Sequence, residues 1–567
     1  MANSINDHLN QFSRPRAILI SPLFPTLIIL FIALLAGCGH APSIPEKIAT
    51  PQELLTLPLL KNANAPVIDG KKLSTWTEMR SFYNQRQEQP AWITDGATTD
   101  EAGQLLAVLR AADQEGLDKK DYHLAGIERL ISAVKPSITQ QAELELLLTD
   151  AALRYAHDQQ MGRFDPRQMD PEWYIDPSPA PDSVTALYTA LEKHELTQWL
   201  AGLPPQHRDY AELRKALTRY RAVAAQGGWP IIDEGPKLNP GDHDTRIPTL
   251  RRHLEISDTL AHAEVSDPTL YDSDLATAVR HFQERHGLDP DGIIGAGTLQ
   301  ALNVSASQRV RQLRVNMERW RWLSRHLEPD HIRINMAGFD LQVMENDSLV
   351  MDMRVIVGRQ LRSTPAFNSR LTHIVFNPYW TVPKTIATQD MLPKLRKNPA
   401  FLQEQNIELF ENWDAQAQPI DPLSVDWSKY SEKHFPFRLR QRPGPHNSLG
   451  RIKFLLPNTY DIYLHDTPNR GLFKRSVRAF SSGCIRLQKP GELADYLMQA
   501  DSGLNLATIS EKDASASQAA KTVRLPRPEP LYLVYFTAWA DAAGIMQFRD
   551  DIYERNGRLD QAFESVH

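Results

Sequence analysis

One cysteine and one histidine in the last fifth of the chain have the residue types and setting for covalent catalysis. Cys484 stands in Phe480-Ser481-Ser482-Gly483-Cys484-Ile485-Arg486-Leu487. His465 lies 19 residues upstream in Ile462-Tyr463-Leu464-His465-Asp466-Thr467-Pro468. A thiolate is the nucleophile, and a free cysteine ionises only near pH 8.5, so activation needs an imidazole or a local positive field. His465, at a strand end, can take the thiol proton and later return it to a leaving amine. Gly483 lets a substrate carbonyl come close to the backbone. The amides near Cys484 can then form an oxyanion hole. The competing interpretation of such a pair is a buried, inert thiol with a remote histidine.

The composition narrows the choice. The chain has 567 residues, which predicts about three domains at roughly 100–200 residues each. Apolar residues make up 42% and charged residues 23%, ordinary values for a globular protein, so collagen, coiled coil and wholesale disorder are excluded. A net charge of −6 argues against broad nucleic-acid binding. The only cysteines are Cys38 and Cys484, which rules out a disulfide framework and a cysteine-rich zinc module. A Ser132-x-x-Lys135 pair has the spacing of a serine nucleophile, but no Lys-Thr-Gly completes such a site.

The N-terminus predicts export. Arg14 and Arg16 precede an apolar run whose uninterrupted part, Thr26 to Ala36, is too short for a comfortable bilayer span and fits a signal-peptide core. It ends in Leu35-Ala36-Gly37-Cys38, which resembles the bacterial lipobox. That resemblance implies a signal peptide over 1–37, lipid on Cys38 and a periplasmic protein anchored at the outer membrane. The alternative is an uncleaved signal holding the chain at the inner membrane. Residues 38–52, with three prolines, read as a tether. An exported chain with no partner cysteine leaves Cys484 as a free thiol and weakens the inert-thiol interpretation.

The elements that must position the pair follow from periodicity. Residues 53–235 are expected to form a mainly helical scaffold; Tyr210, Leu213, Leu217 and Tyr220 mark one amphipathic helix. Residues 242–303 predict a compact module with Ile247, Leu250 and Leu254 on one helical face. Leu275, Val279 and Phe282 lie on another, capped at Asp272 or Ser273. His253, His281 and His286 match no common ligand spacing and read as surface residues; no metal site is expected. A connecting helix falls within 304–329, where Arg319, Trp320, Arg321 and Trp322 predict packing between domains. From His331 the period becomes two, giving a mainly-β domain over 330–555 with a last strand at Leu531–Phe536. Residues 386–445, too long for a plain loop, predict a lid or capping insertion. Ser510 to Ala520 reads as mobile.

Two resemblances give these parts names. Ala278-Val279-Arg280-His281-Phe282-Gln283, with His286-Gly287-Leu288 and Asp291-Gly292-x-Ile294-Gly295-x-x-Thr298-Leu299, resembles the three-helix peptidoglycan-binding module. His465 and Ser481-x-Gly483-Cys484-Ile485-Arg486 resemble the signature of the L,D-transpeptidases of the YkuD type. So do Asn377-Pro378-x-Trp380-x-Val382-Pro383, Asn447-x-Leu449-Gly450-x-Ile452-Lys453-Phe454 and His465-Asp466-Thr467-Pro468. The implied architecture is multidomain α+β: a helical scaffold, the peptidoglycan-binding module and a mainly-β catalytic domain with a lid insertion. The large Gram-negative members share that layout.

The second resemblance implies Cys484 as nucleophile and His465 as base, with Gly483 and Cys484 amides as oxyanion donors. Arg486 would orient the motif or meet a substrate carboxylate. Tyr463 and Trp380 would line the donor cleft, Trp380 having core packing as its alternative. Many relatives carry a histidine where Ser482 stands, which puts that position's role in substrate orientation in doubt. The implied reaction takes a peptidoglycan tetrapeptide stem, releases its terminal D-Ala through a thioester and forms a 3→3 cross-link. No cofactor is implied, and carbapenems could acylate the thiol. Hydrolysis of the same thioester, lipoprotein attachment or detachment, and an inactive wall-binding tether are the competing expectations.

Overall fold

The computed structural model describes residues 64–176, 179–257, 265–323, 327–499 and 520–565. The expected signal peptide, Cys38, the tether and almost all of the Ser510–Ala520 stretch lie outside the described residues.

The scaffold is built around helix α1 (Ile138–Met161), which starts at a capping box in which Ser137 and Gln140 satisfy each other's backbone amides. Leu147, Leu148, Ala151 and Ala152 are fully buried, and so are polar residues on the same helix. Those polar groups are matched. Glu145 accepts from the Ala91 and Trp92 amides at 2.6 and 3.0 Å, and Asp150 accepts from the Thr75 amide at 2.8 Å. A helix buried on all sides with its polar groups paired is a structural spine. Ser132 sits at an exposed helix end and donates to the Arg129 carbonyl, so the Ser132/Lys135 pair builds no site.

Helix α2 (Arg208–Ala225) carries the predicted stripe, but the stripe faces the next domain. Tyr210, Leu213, Leu217 and Tyr220 belong to the same core as the C-terminal sheet. The module contains α3 (Ile247–Ser257), α4 (Ser273–Arg285) and α5 (Ala296–Leu302), packed through Ile247, Leu250, Leu254, Leu275, Val279 and Phe282. Asp272 is the cap of α4, accepting from the Leu275 amide at 2.9 Å. The surface placement of the histidines is corrected for two of them. His253 is buried, and the buried His286 ring stacks on Phe282 at 3.8 Å, because both rings fill the module's core face. His281 remains exposed.

Helix α6 (Ala306–Trp322) joins the parts. Its basic-aromatic end is buried, as expected for packing between domains. Arg321 pairs with Glu318 at 2.8 Å with neither side chain exposed. Arg321 also donates to Tyr210 of α2 and to the Glu115 carbonyl, while Glu318 accepts from the Phe164 amide at 3.0 Å. Trp320 stacks on Phe536 at 5.0 Å.

The C-terminal domain is a sheet that closes on itself. Its strands are β1 (His331–Asn335), β2 (Asp340–Glu345), β3 (Ser348–Gly358) and β4 (Ala366–Phe376). The insertion supplies β5 (Trp380–Thr381), β6 (Ile407–Phe410), β7 (Pro419–Ile420) and β8 (Arg438–Gln441). Then come β9 (Ile452–Leu455), β10 (Leu464–His465), β11 (Ala479–Ser481), β12 (Ile485–Leu487) and β13 (Lys521–Val534). The order is β9-β10-β12-β3-β2-β1-β13-β4, and β4 also pairs with β9 to complete a barrel-like ring. A strand of the scaffold, Trp173–Tyr174, adds to β4 in parallel.

The last strand is longer than expected. It begins at Lys521 and completes the sheet between β1 and β4. Pro526, Pro528 and Pro530 hide it in the sequence. A register shift between Arg524 and Glu529 accommodates the first two, and Pro530 pairs with Arg370.

The insertion is a folded cap. Strands β5, β8, β6 and β7 form a sheet of their own, and Trp380, Leu395, Leu402, Leu409, Trp427 and Leu439 form a separate core.

Removing one partner of the α6 ion pair strands a buried charge. Glu318→Ala is expected to destabilise the chain by about 3–5 kcal/mol in urea unfolding. A loss under about 1 kcal/mol would show that α6 does not hold the domains together through this pair.

Candidate active site

The site is laid out by strand register. Phe454, Leu464 and Ile485 face one another across β9, β10 and β12, and all three are fully buried in the barrel core. Alternation along each strand sends the next residue to the opposite face. Lys453, His465 and Arg486 therefore form a second row, with Lys453 opposite His465 and His465 opposite Arg486. Tyr463 precedes His465 by two residues, and Cys484 precedes Arg486 by two. The Tyr463 ring lies 5.6 Å from the His465 ring. The Tyr463 hydroxyl and amide both face the Cys484 thiol.

The turn that carries the thiol is tightly braced. Gly483 has φ +117°, and a Cβ there would stand 3.2 Å from Ile462 Cδ1. The Ser481 hydroxyl donates to the Cys484 carbonyl at 2.5 Å and accepts from the Gly483 amide at 3.1 Å. The Gly483 carbonyl accepts from the Thr364 hydroxyl at 2.7 Å, and Thr364 in turn accepts from the Gly358 amide at 3.0 Å. This corrects the expected oxyanion pair. The Gly483 amide is spent inside the turn, whereas the Cys484 amide donates to no protein group among the described residues.

The His465 ring is buried and oriented. Its Nδ1 lies 2.5 Å from the Asp466 carbonyl, which can only accept. Nδ1 therefore carries the proton, and Nε2 keeps a lone pair for base chemistry. Burial, then the charges of Arg486 and Lys453, push its pKa down to about 3. The thiol is pushed upward by burial, against Tyr463, Lys453 and Arg486, which favour the thiolate. It donates to the Asp461 carbonyl at 3.6 Å. No hydrogen bond joins thiol and imidazole among the described residues. Both groups are thus neutral at rest.

The cap reaches this turn through groups that carry no sequence signal. Ser482 is exposed and its hydroxyl accepts from Arg362 at 3.1 Å. Arg362 also pairs with Asp390 at 2.6 Å and donates to Gln389, both on a π-helical turn of the cap (Ala387–Met391). Trp380, expected along the cleft, takes its alternative role. It is 8% exposed, packs in the cap core and donates toward the Tyr463 hydroxyl. Arg486 is half-buried with its Nε unpartnered among the described residues. Lys453 was legible only as part of a strand.

Nitrogen NMR of the His465 ring should keep the Nδ1–H, neutral-imidazole pattern from pH 8 to about pH 4.5. Ionisation near the ordinary histidine pKa of about 6.5 would contradict the buried, cation-flanked placement.

Three stretches match known families. Residues 77–217 match the "Scaffold domain", residues 245–302 the "Putative peptidoglycan binding domain" and residues 329–508 the "L,D-transpeptidase catalytic domain". A curated relative from Haemophilus influenzae, named "Putative L,D-transpeptidase", is 37% identical over 235 residues, covering 41% of this chain and 45% of that protein. The match thus spans less than half of the relative's length. Among solved structures, an L,D-transpeptidase from Mycobacterium smegmatis covers 36% of this chain and 58% of its own at 9% identity and a TM-score of 0.17. One from Xylanimonas cellulosilytica covers 53% and 99% at 12% identity and a TM-score of 0.18. The chain thus joins a scaffold domain, a peptidoglycan-binding domain and, in the β-rich ring that carries His465 and Cys484, an L,D-transpeptidase catalytic domain of the YkuD type.

Proposed function

We propose that the chain is a cysteine acyltransferase that makes 3→3 cross-links between peptidoglycan stems. The observation that carries this is a neutral His465, its Nε2 lone pair available, set by register opposite Arg486, two residues beyond Cys484. Nε2 takes the thiol proton, and the sulfur attacks the carbonyl of residue three of a tetrapeptide stem. The Cys484 amide supports the oxyanion. Collapse breaks the C–N bond, the imidazolium protonates the departing D-Ala amine, and a thioester remains. The side-chain amine of diaminopimelate on a second stem then takes the acyl group.

The folded cap is tied to the turn through Arg362, and on this reading it limits water at the thioester and favours amine as acceptor. In the same proposal the binding module holds the chain on its polymeric substrate. Lipid on Cys38 keeps the protein in the periplasm at the outer membrane, and carbapenems acylate the same thiol.

Incubation with tetrapeptide muropeptides, read by mass spectrometry, should give 3→3 dimers and free D-Ala, and Cys484→Ala should give neither. Tripeptide without dimers would mean hydrolysis. New conjugates of a lipoprotein would mean attachment. Either result sinks the cross-linking assignment.

A further inference from the structure

Lys453 is an unusual residue for its place. It lies on β9 beside the fully buried Phe454, in the row that contains His465 and Arg486. Its ammonium sits 3.7 Å from the centroid of the Tyr463 ring. Among the described residues it forms no ion pair. Asp461 faces it from the loop before β10 without closing a salt bridge, and that residue's carbonyl is already taken by the thiol. A half-buried ammonium usually recovers its lost hydration from a carboxylate. Here an aromatic face does so, which holds the cation without cancelling its charge. The ring that holds it is the one whose hydroxyl faces Cys484.

We propose that Lys453 is the thiolate-stabilising cation of the site, held over Tyr463 so that its uncancelled charge falls on Cys484 as the thiol loses its proton. The S–H bond breaks, the proton goes to Nε2 of His465, and the electron pair stays on sulfur. Lys453 itself neither gives nor takes a proton. The inference rests on Cys484 being the nucleophile, but not on which stem or acceptor is used.

The charged and titratable groups acting on the thiol are Lys453 from β9, Tyr463 from the segment before β10 and Arg486 from β12, with the Asp461 carbonyl accepting from it; His465 stands between Lys453 and Arg486 in the row. Lys453 and Arg486 both favour the thiolate, burial opposes it, and both cations oppose charge on His465. Lys453 thus acts on the sulfur, while the ring nitrogen keeps its lone pair.

The test uses neutral iodoacetamide on the full chain, with alkylation followed by mass spectrometry of the peptide that carries Cys484. In Lys453→Met the alkylation midpoint should move up by about one pH unit, which makes the rate at pH 7 about tenfold slower. Lys453→Arg should stay within about twofold of the wild type. At strongly alkaline pH the Met variant should catch up, because only the ionisation has changed. A Met variant that is slow at every pH has lost structure instead of charge, and that overturns the assignment. An unchanged midpoint with a raised KM for the acyl donor also overturns it, and makes Lys453 a substrate-carboxylate contact. Loss of cross-linking chemistry with the midpoint shift intact would count against the proposed reaction and leave the role of Lys453 standing.

Discussion

Everything at the site hangs on the two-residue parallel pairing of β10 with β12. Leu464 meets Ile485 and His465 meets Arg486. A slip of one residue would exchange the faces, putting His465 into the barrel core and Leu464 beside the thiol. A two-residue strand cannot enforce that register alone. β9 holds β10 from the other side, and closure of the ring through β4 leaves β9 no freedom to move. The Asp466 carbonyl then fixes the ring of His465, and Thr364 fixes the turn of Cys484. The apolar row Phe454–Leu464–Ile485 is what makes the polar row obligatory.

The polar row has a definite electrostatic logic. Two cations flank a buried imidazole, and no carboxylate offsets them within the row. Protonating His465 in the resting site would add a third positive charge in a poorly solvated place, so the ring stays neutral. The same field eases loss of a proton from sulfur. The thiolate–imidazolium pair is therefore a state the site can support when reaction calls for it, but not one it stores. A stored thiolate would lie open to oxidation.

The candidate pair was easier to read from the sequence than its surroundings. Cys484, His465 and the glycine between small residues announce themselves by type and spacing, and the hydrophobic period gives the module and most strands. Other features depend on neighbours far apart in the chain. Nothing in the stripe of α2 tells that it faces the barrel instead of the scaffold, because both surfaces are apolar. The prolines before Leu531 mask a central strand that survives by shifting register. The Gly483 amide looked free until the Ser481 hydroxyl was seen to take it. Lys453 was hidden because a lysine in an alternating strand normally marks a solvated face, and here that face is the site.

Ser482 shows how one departure from the family pattern is accommodated. Its small, exposed hydroxyl leaves the turn free to accept Arg362, and Arg362 is in turn committed to Asp390 and Gln389 on the cap. A π-helical turn is a costly way to continue a helix and tends to persist where it aims a group. In this chain it aims Asp390 and Gln389 at an arginine that touches the residue two before the thiol. The cap is thereby tied to the Cys484 turn itself. The serine and the arginine clamp are thus parts of one hydrogen-bonded link between cap and turn.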